Sequence, residues 1–446
     1  MKFPIPKNFL FGAASSSGQI EGGCKEGGKG EDIYDYRMRT QPDYAHADPN
    51  KSADFYHRYR EDIAMMKELG LDSFRFSFAW SRIYPNGPTE VCQAGIDYYN
   101  DVLDTLLEAG IKPFFDLYHC DLPQWVVEMG GFANPEFVDW FAVYAKTCFE
   151  AFGQKVAFWS TVNEPNINIV RSYIKAAVIP LTGDIDQALA ACHHMILANY
   201  KAIRIFKSMN LPGKIGAVTH VMPTYSLSSD PEDQAAAERD FAFYAGWWLD
   251  PFLKGHYPEI LMQHPYIAEK LPAHYPAELA ENFIEQDFIG VNLYGPYFVR
   301  YGNEDPLGRE MIEHPFISKD GYGFGNYPQG LYDVAMYLKE TYPGKEIFIT
   351  ENGISKKKWG NLEEERHDDY RISYMREHLR EVSRAIAAGA PVAGYYHWSV
   401  MDTNELGSGG YSHIFGLVQV DYETKNRYPR DSWYYYQKVI ANREVD

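Results

Sequence analysis

Two glutamates stand where folding alone explains a carboxylate poorly. One closes the run Thr161-Val162-Asn163-Glu164-Pro165 and the other lies in Ile349-Thr350-Glu351-Asn352-Gly353, each at the end of a short apolar stretch. An ionised carboxylate at the end of a buried strand is costly unless it is paired, hydrogen-bonded or used in chemistry. A single case reads as a helix cap or half of an ion pair, whereas two in corresponding positions suggest a joint role. Carboxylates facing each other across a pocket are what glycoside hydrolysis requires. One protonates the departing oxygen, and the other attacks the anomeric carbon or activates water. A gap of about 5 Å gives retention and a wider one inversion, a distance that sequence does not measure.

Other polar residues fall at similar points. Gln19 and Glu21 follow the first apolar run, and Arg75 lies within the second, where a guanidinium would hold a nearby carboxylate ionised and oriented. His119 and Asp121 end the third run, Asn292 and Tyr294 the sixth, and His397 and Trp398 the eighth, with Asp402 and Glu405 just beyond. Amides, an imidazole, an indole and carboxylates suit the hydroxyls and apolar face of a sugar. Taken singly, His119 reads as a core histidine and Trp398 as packing.

These residues need strand ends that converge. Apolar runs of strand length occur at Phe9–Ser15, Ser73–Phe78, Pro113–Tyr118, Ala157–Val162, Ile215–Thr219, Phe288–Leu293, Glu346–Thr350 and Val392–Trp398. Most are apolar at nearly every position, as in parallel strands covered on both faces. Segments with helical spacing alternate with them: Ala53–Leu69, Gly95–Ala109, Pro135–Phe152, Asp186–Met209, Pro231–Phe252, Gln329–Thr341, Asp369–Ala388 and Ser432–Ala441. Eight such pairs predict an α/β fold, a single (β/α)8 TIM barrel over residues 1–446 with long βα loops, in which catalytic groups gather at the carboxyl ends of the strands. A doubly wound sheet is the alternative, but no Gly-x-Gly-x-x-Gly follows the first run. The glycine-rich stretch Gly22–Gly30 lacks the Gly-Lys-Ser/Thr ending of a phosphate loop.

Composition narrows the partners. With 42 basic against 61 acidic residues the 446-residue chain carries a formal charge of −19, which repels nucleic acid and anionic membranes alike. Five cysteines without a paired spacing argue against a disulfide framework and a cysteine-rich zinc site. No apolar run has the length of a membrane-spanning helix. The apolar stretch near the start, preceded by two prolines, is too short for a signal peptide, so a cytoplasmic protein is expected. The 35 Tyr, 26 Phe and 9 Trp are either core filling or flat surfaces for stacking, and with this charge sugars are better candidates than bases.

In this order and spacing the motifs resemble glycoside hydrolase family 1, the β-glucosidase-like retaining β-glycosidases. The matching stretches are Phe9-Leu-Phe-Gly-Ala-Ala-Ser-Ser-Ser-Gly-Gln19-Ile-Glu-Gly, Arg75-Phe-Ser-Phe-Ala-Trp-Ser-Arg-Ile, Tyr118-His-Cys-Asp-Leu-Pro-Gln-Trp, Thr161-Val-Asn-Glu-Pro, Ile349-Thr-Glu-Asn-Gly and Gly416-Leu-Val-Gln-Val-Asp-Tyr. The resemblance implies an exo-acting enzyme that removes terminal β-D-glycosyl residues from oligosaccharides or aryl glycosides by double displacement. Glu351 would be the nucleophile and Glu164 the acid/base, with Arg75 and Tyr294 beside the nucleophile. Asn163 would hold the 2-hydroxyl. Gln19, His119 and Glu405 would grip other hydroxyls, and Trp398 would floor the pocket, with Asn292 nearby. No metal or organic cofactor is implied. Charge from Arg75 should hold Glu351 low, and the negative neighbour should raise Glu164.

Three positions depart from the family pattern. Cys120, Leu406 and Asn166 stand where its members commonly have Trp. Loss of the first two indoles predicts a widened inner sugar pocket, unless Tyr395, Tyr396 or Tyr411 fills the space. The related 6-phospho-β-glucosidases carry Ser at the position of Glu405, then a Lys and a Tyr where His413 and Phe415 stand here. A carboxylate there disfavours phosphate. A non-catalytic glycan-binding barrel is the other alternative, and its relatives typically lose a catalytic glutamate.

Overall fold

The computed structural model describes residues 2–41, 44, 48–175, 177, 182–405 and 410–446. Eight parallel strands close into a barrel: β1 (Leu10–Ala14), β2 (Ser73–Ser77), β3 (Lys112–Tyr118), β4 (Phe158–Asn163), β5 (Lys214–His220), β6 (Phe288–Asn292), β7 (Glu346–Asn352) and β8 (Val392–Trp398). Each pairs with its neighbours in sequence, and β8 returns to β1 in the register Gly394–Leu10 through Trp398–Ala14. The major outer helices are α1 (Phe55–Leu69), α2 (Gln93–Glu108), α3 (Phe137–Phe152), α4 (Ile185–Ser208), α5 (Pro231–Phe241), α6 (Gln329–Thr341), α7 (Asp369–Ala387) and α8 (Asp431–Asn442). The chain is therefore a (β/α)8 barrel. Among the described residues no helix is long and apolar enough to cross a membrane.

Local chemistry sets these boundaries. α1 stops at Gly70, whose φ of 87° is readily adopted without a Cβ. The Asp184 side chain accepts from the amides of Asp186 and Gln187 and so starts α4. The segment 231–252, expected as one helix, is divided. α5 passes through a π-helical turn at Ala242–Gly246 into a separate helix, Trp247–Lys254, which carries Pro251 inside it. The apolar periodicity persists across this junction, which is why the pattern reads as continuous.

Alternation along the strands divides the apolar mass in two. Phe115, Leu117 and Trp159 point outward into the large core between strands and helices. Ala14, Phe114, Phe288, Phe348 and Tyr396 point inward and plug the barrel. The same inner cluster reaches Tyr294, Trp398 and Phe415 at the carboxyl end, so the polar groups at that rim stand on a filled base. Gly353 lets the ends of β7 and β8 pass closely, since a Cβ there would lie 2.0 Å from the Trp398 carbonyl oxygen.

Candidate active site

A cleft of about 450 Å3 opens at the carboxyl ends of the strands. Gln19, His119, Cys120, Glu164, Tyr294, Glu351, Trp398 and Glu405 line it, as the sequence reading expects. Glu351 ends β7 almost fully buried. Its Oε1 accepts from Arg75 Nη1 at 2.6 Å and its Oε2 from the Tyr294 hydroxyl at 2.6 Å. Glu164 accepts one bond within the site, from Asn292 Nδ2 at 2.9 Å. Glu164 therefore has an amide donor where Glu351 has a guanidinium and a phenol.

Glu164 is held at the junction between β4 and the short helix Pro165–Ile169 in a left-handed conformation, φ 47° and ψ 52°. Pro165 starts that helix and disfavours the right-handed helical region for the residue before it. Cys120 is also left-handed, at φ 70°. Such conformations cost about 1–3 kcal/mol each and persist where the surroundings dictate them.

Beneath the glutamates lies a buried lattice. Arg75, at the centre of β2, meets Asp116 through Nε at 3.2 Å and Nη2 at 2.7 Å. Its Nη2 also donates to Asn163 Oδ1 at 2.6 Å. Asp116 accepts from His119 Nδ1 at 3.0 Å, which leaves His119 Nε2 as the acceptor for Asn163 Nδ2 at 3.1 Å. Asn292 bridges Asn163 and Glu164 through Nδ2, and its Oδ1 accepts from Thr350. Sequence reading missed Asp116 and Thr350. The signal for Asp116 was present, a carboxylate inside the apolar run Phe114-Phe115-Asp116-Leu117.

Burial raises both glutamates above the usual carboxylate range, which corrects the expectation that Glu351 titrates low. For Glu351 burial outweighs the opposing Arg75 charge, and Glu164 adds to the rise. For Glu164 burial is again the largest effect, opposed by the Asn292 hydrogen bond and the positive charges of Arg75 and Arg171. What separates the pair is donor strength: a charged guanidinium with a phenol favours the anion more than one amide does. A proton shared between them therefore belongs on Glu164. Burial also pushes Glu405 up, to about 7, against the hydrogen bond from Thr403.

The other expected residues divide. Gln19 accepts from Ser16 and donates to the Asn404 carbonyl, and the Trp398 ring lies nearly parallel to His119, 15° between planes and 5.6 Å between centroids. Asn292 is not a cleft wall, because its amide is spent on Glu164, Asn163 and Thr350. Asn166 turns away from the cleft and donates to the carbonyls of His220 and Tyr244. His413 also stands behind the wall, bonded to the Gly321 carbonyl next to the cleft residue Tyr322. Both are supports rather than substrate contacts. Leu406 lies outside the described residues. Tyr395 and Tyr396 are buried against Asn352 and Ser73, and Tyr411 bonds to the Asp48 carbonyl, so none of them fills the cleft beside Cys120.

Comparison with known proteins agrees with the motif order. The model of glycosyl hydrolase family 1 matches residues 1–445. Beta-glucosidase A of Thermotoga maritima is 35% identical over 445 residues, covering 99% of each chain. A Bacillus subtilis protein named 6-phospho-beta-glucosidase GmuD is 36% identical, covering 95% of this chain and 94% of its own. The solved Thermotoga maritima family 1 β-glucosidase in complex with isofagomine lactam superposes with a TM-score of 0.94 at 34% identity, covering 100% of both chains.

Proposed function

The chain belongs to glycosyl hydrolase family 1 and is an O-glycosyl hydrolase of β-glucosidase type, and on that premise we propose that it works by retention, with Glu351 as nucleophile and Glu164 as acid/base. The observation that carries this reading is the unequal donor sets of two buried carboxylates in one cleft. Glu351, held by Arg75 and Tyr294, attacks the anomeric carbon as its bond to the departing oxygen breaks and Glu164 gives that oxygen a proton. The covalent ester removes the charge of Glu351. Glu164, now ionised, takes a proton from water, which attacks the anomeric carbon and releases Glu351.

The substrate is a small β-glycoside, its terminal sugar lying on Trp398 with hydroxyls directed at Gln19 and Glu405, and at His119 where a hydroxyl takes the place of its Asn163 contact. Asn163 retains a second amide hydrogen for the 2-hydroxyl after bonding His119. Cys120 leaves the inner pocket wide enough for a substituted sugar. The buried Glu405 carboxyl works against a 6-phosphate, and retention of both glutamates works against a non-catalytic role.

Glu351→Gly tests the assignment with para-nitrophenyl β-glucoside. It should abolish turnover while leaving a folded protein, and added azide should restore cleavage as an α-glycosyl azide. Glu164→Ala should instead retain activity on this good leaving group and yield the β-azide. Full activity in Glu351→Gly, or a β-azide from it, removes Glu351 from the role.

A further inference from the structure

The cleft contains a cation that bonds to none of its three glutamates, although its charge reaches Glu164 and Glu405 through space. Arg171, on the turn Val170–Ile174 that continues the helix after Glu164, lines the cleft and is half-buried. The more deeply buried arginines have carboxylate partners: Arg75 with Asp116 and Glu351, Arg82 with Glu21, Arg371 with Asp368 and Arg430 with Asp402. Among the described residues no carboxylate lies within ion-pair distance of Arg171, and its guanidinium makes no hydrogen bond. Around its charge stand Tyr322, Tyr34, Cys120 and Tyr44, from the loops after β6, β1 and β3. Lys175, one turn further on, lines the same wall and is also unpaired among the described residues.

Leaving a guanidinium partly desolvated without a partner is costly, and its planar fork matches carboxylate and phosphate oxygens in pairs. The small Cys120 side chain leaves its surroundings open. In a chain of formal charge −19, two cations without a carboxylate partner among the described residues, on the wall of a cleft that already holds three glutamates, form a local exception.

We propose that Arg171, with Lys175 behind it, is a specificity residue that seats a negatively charged substituent of the β-glycoside. This rests on the hydrolase reading above and adds the class of substrate. The charge has two sources, the sugar itself or the aglycone, and a tyrosine-lined cation accepts either. Charge balance among Glu164, Glu351 and Glu405 is the competing role for Arg171, and it predicts a uniform effect on all substrates.

The test is the ratio of kcat/KM for a charged substrate to that for its neutral counterpart, which a uniform loss leaves unchanged. Three arms distinguish the sources. Para-nitrophenyl β-glucuronide and the 6-phosphorylated para-nitrophenyl β-glucoside are each set against para-nitrophenyl β-glucoside, and para-carboxyphenyl β-glucoside against its methyl ester. In at least one arm Arg171→Met should lower the ratio about 10- to 100-fold, the range of a hydrogen-bonded charge pair, mainly through KM. Arg171→Lys, which keeps charge but loses the fork, should fall between. In the unmodified enzyme about 1 M salt should erode the same preference, because the screening length there is only about 3 Å; this reading serves if the variants fail to fold. A ratio lowered by less than about threefold in every arm, or a preference indifferent to salt, overturns the proposal. Absence of turnover on every substrate instead counts against the hydrolase reading. Arg171 is then judged by whether the charged glycosides raise the Tm of the unmodified protein more than that of Arg171→Met, and equal shifts reject it.

Discussion

Replacing Asp116 with alanine removes the anion around which the buried lattice is organised. Its carboxylate has no solvent exposure and bonds Arg75 at 3.2 and 2.7 Å and His119 at 3.0 Å. Removing one partner of a buried pair costs about 3–5 kcal/mol. Arg75 retains Glu351 and Asn163, so the lower end of that range applies. The orphaned His119 N–H adds about 1–3 kcal/mol, giving a loss of about 4–6 kcal/mol. An unfolding entropy of about 2.1 cal/mol/K per residue over 446 residues is about 0.9 kcal/mol/K. Asp116→Ala should therefore lower Tm by about 4–7 °C, and Asp116→Asn, which keeps the shape and an acceptor, by about half as much. Scanning calorimetry measures both, and kcat/KM on para-nitrophenyl β-glucoside should fall through KM as His119 loses its fixed tautomer. A Tm within about 1 °C of the unmodified protein for Asp116→Ala would refute the argument that this lattice supports the site.

Three further predictions follow from the same geometry. Tyr294→Phe removes a hydrogen bond that stabilises ionised Glu351, so the acid limb of the kcat/KM profile should move to higher pH; an unmoved limb separates Tyr294 from the nucleophile. Glu405 is raised on folding from 4.5 to about 7, so its contribution to stability is full below pH 4.5 and is lost as pH rises through 7. Glu405→Gln should accordingly flatten the stability profile across that window by up to about 3 kcal/mol, as read by denaturant melts at pH 5 and 8, and an unchanged slope contradicts it. Cys120→Trp should narrow the cleft, lowering kcat/KM for O4- or O6-substituted nitrophenyl glycosides at least tenfold more than for the plain glucoside, and equal losses would count against a widened pocket.

The fold was legible because a barrel repeats one local rule eight times. Parallel strands buried on both faces read as unbroken apolar runs, and Gly70 and Gly110 mark helix stops within the residues that form them. The expectation failed in 231–252, where the helix is redirected by a π turn that leaves the apolar period intact. The two cleft glutamates were legible for the opposite reason: Glu164 and Glu351 break the apolar rule at strand ends. Asp116 breaks it inside a strand, where burial makes a carboxylate just as costly unless it is paired.

Asn166 and His413 show where the linear pattern ceases to inform. Asn166 departs from the family pattern and His413 from that of the 6-phospho branch, but their side chains bond to the carbonyls of His220 and Gly321, behind the cleft wall. Arg171 carries no mark in sequence at all. An arginine on a short helix is ordinary until the three-dimensional arrangement leaves it lining a cleft with no carboxylate among the described residues within ion-pair distance.

Residue type and order were thus sufficient for the barrel, for the two glutamates and for the family, because each depends on local periodicity or on a short motif. The order of proton affinity within the pair, the lattice through Asp116 and the position of Arg171 on the cleft wall depend on distances between residues far apart in the chain. Desolvation and Coulomb terms vary with those distances, and only closure of the barrel brings Arg75, Asp116, Asn163 and Glu351 within hydrogen-bonding reach.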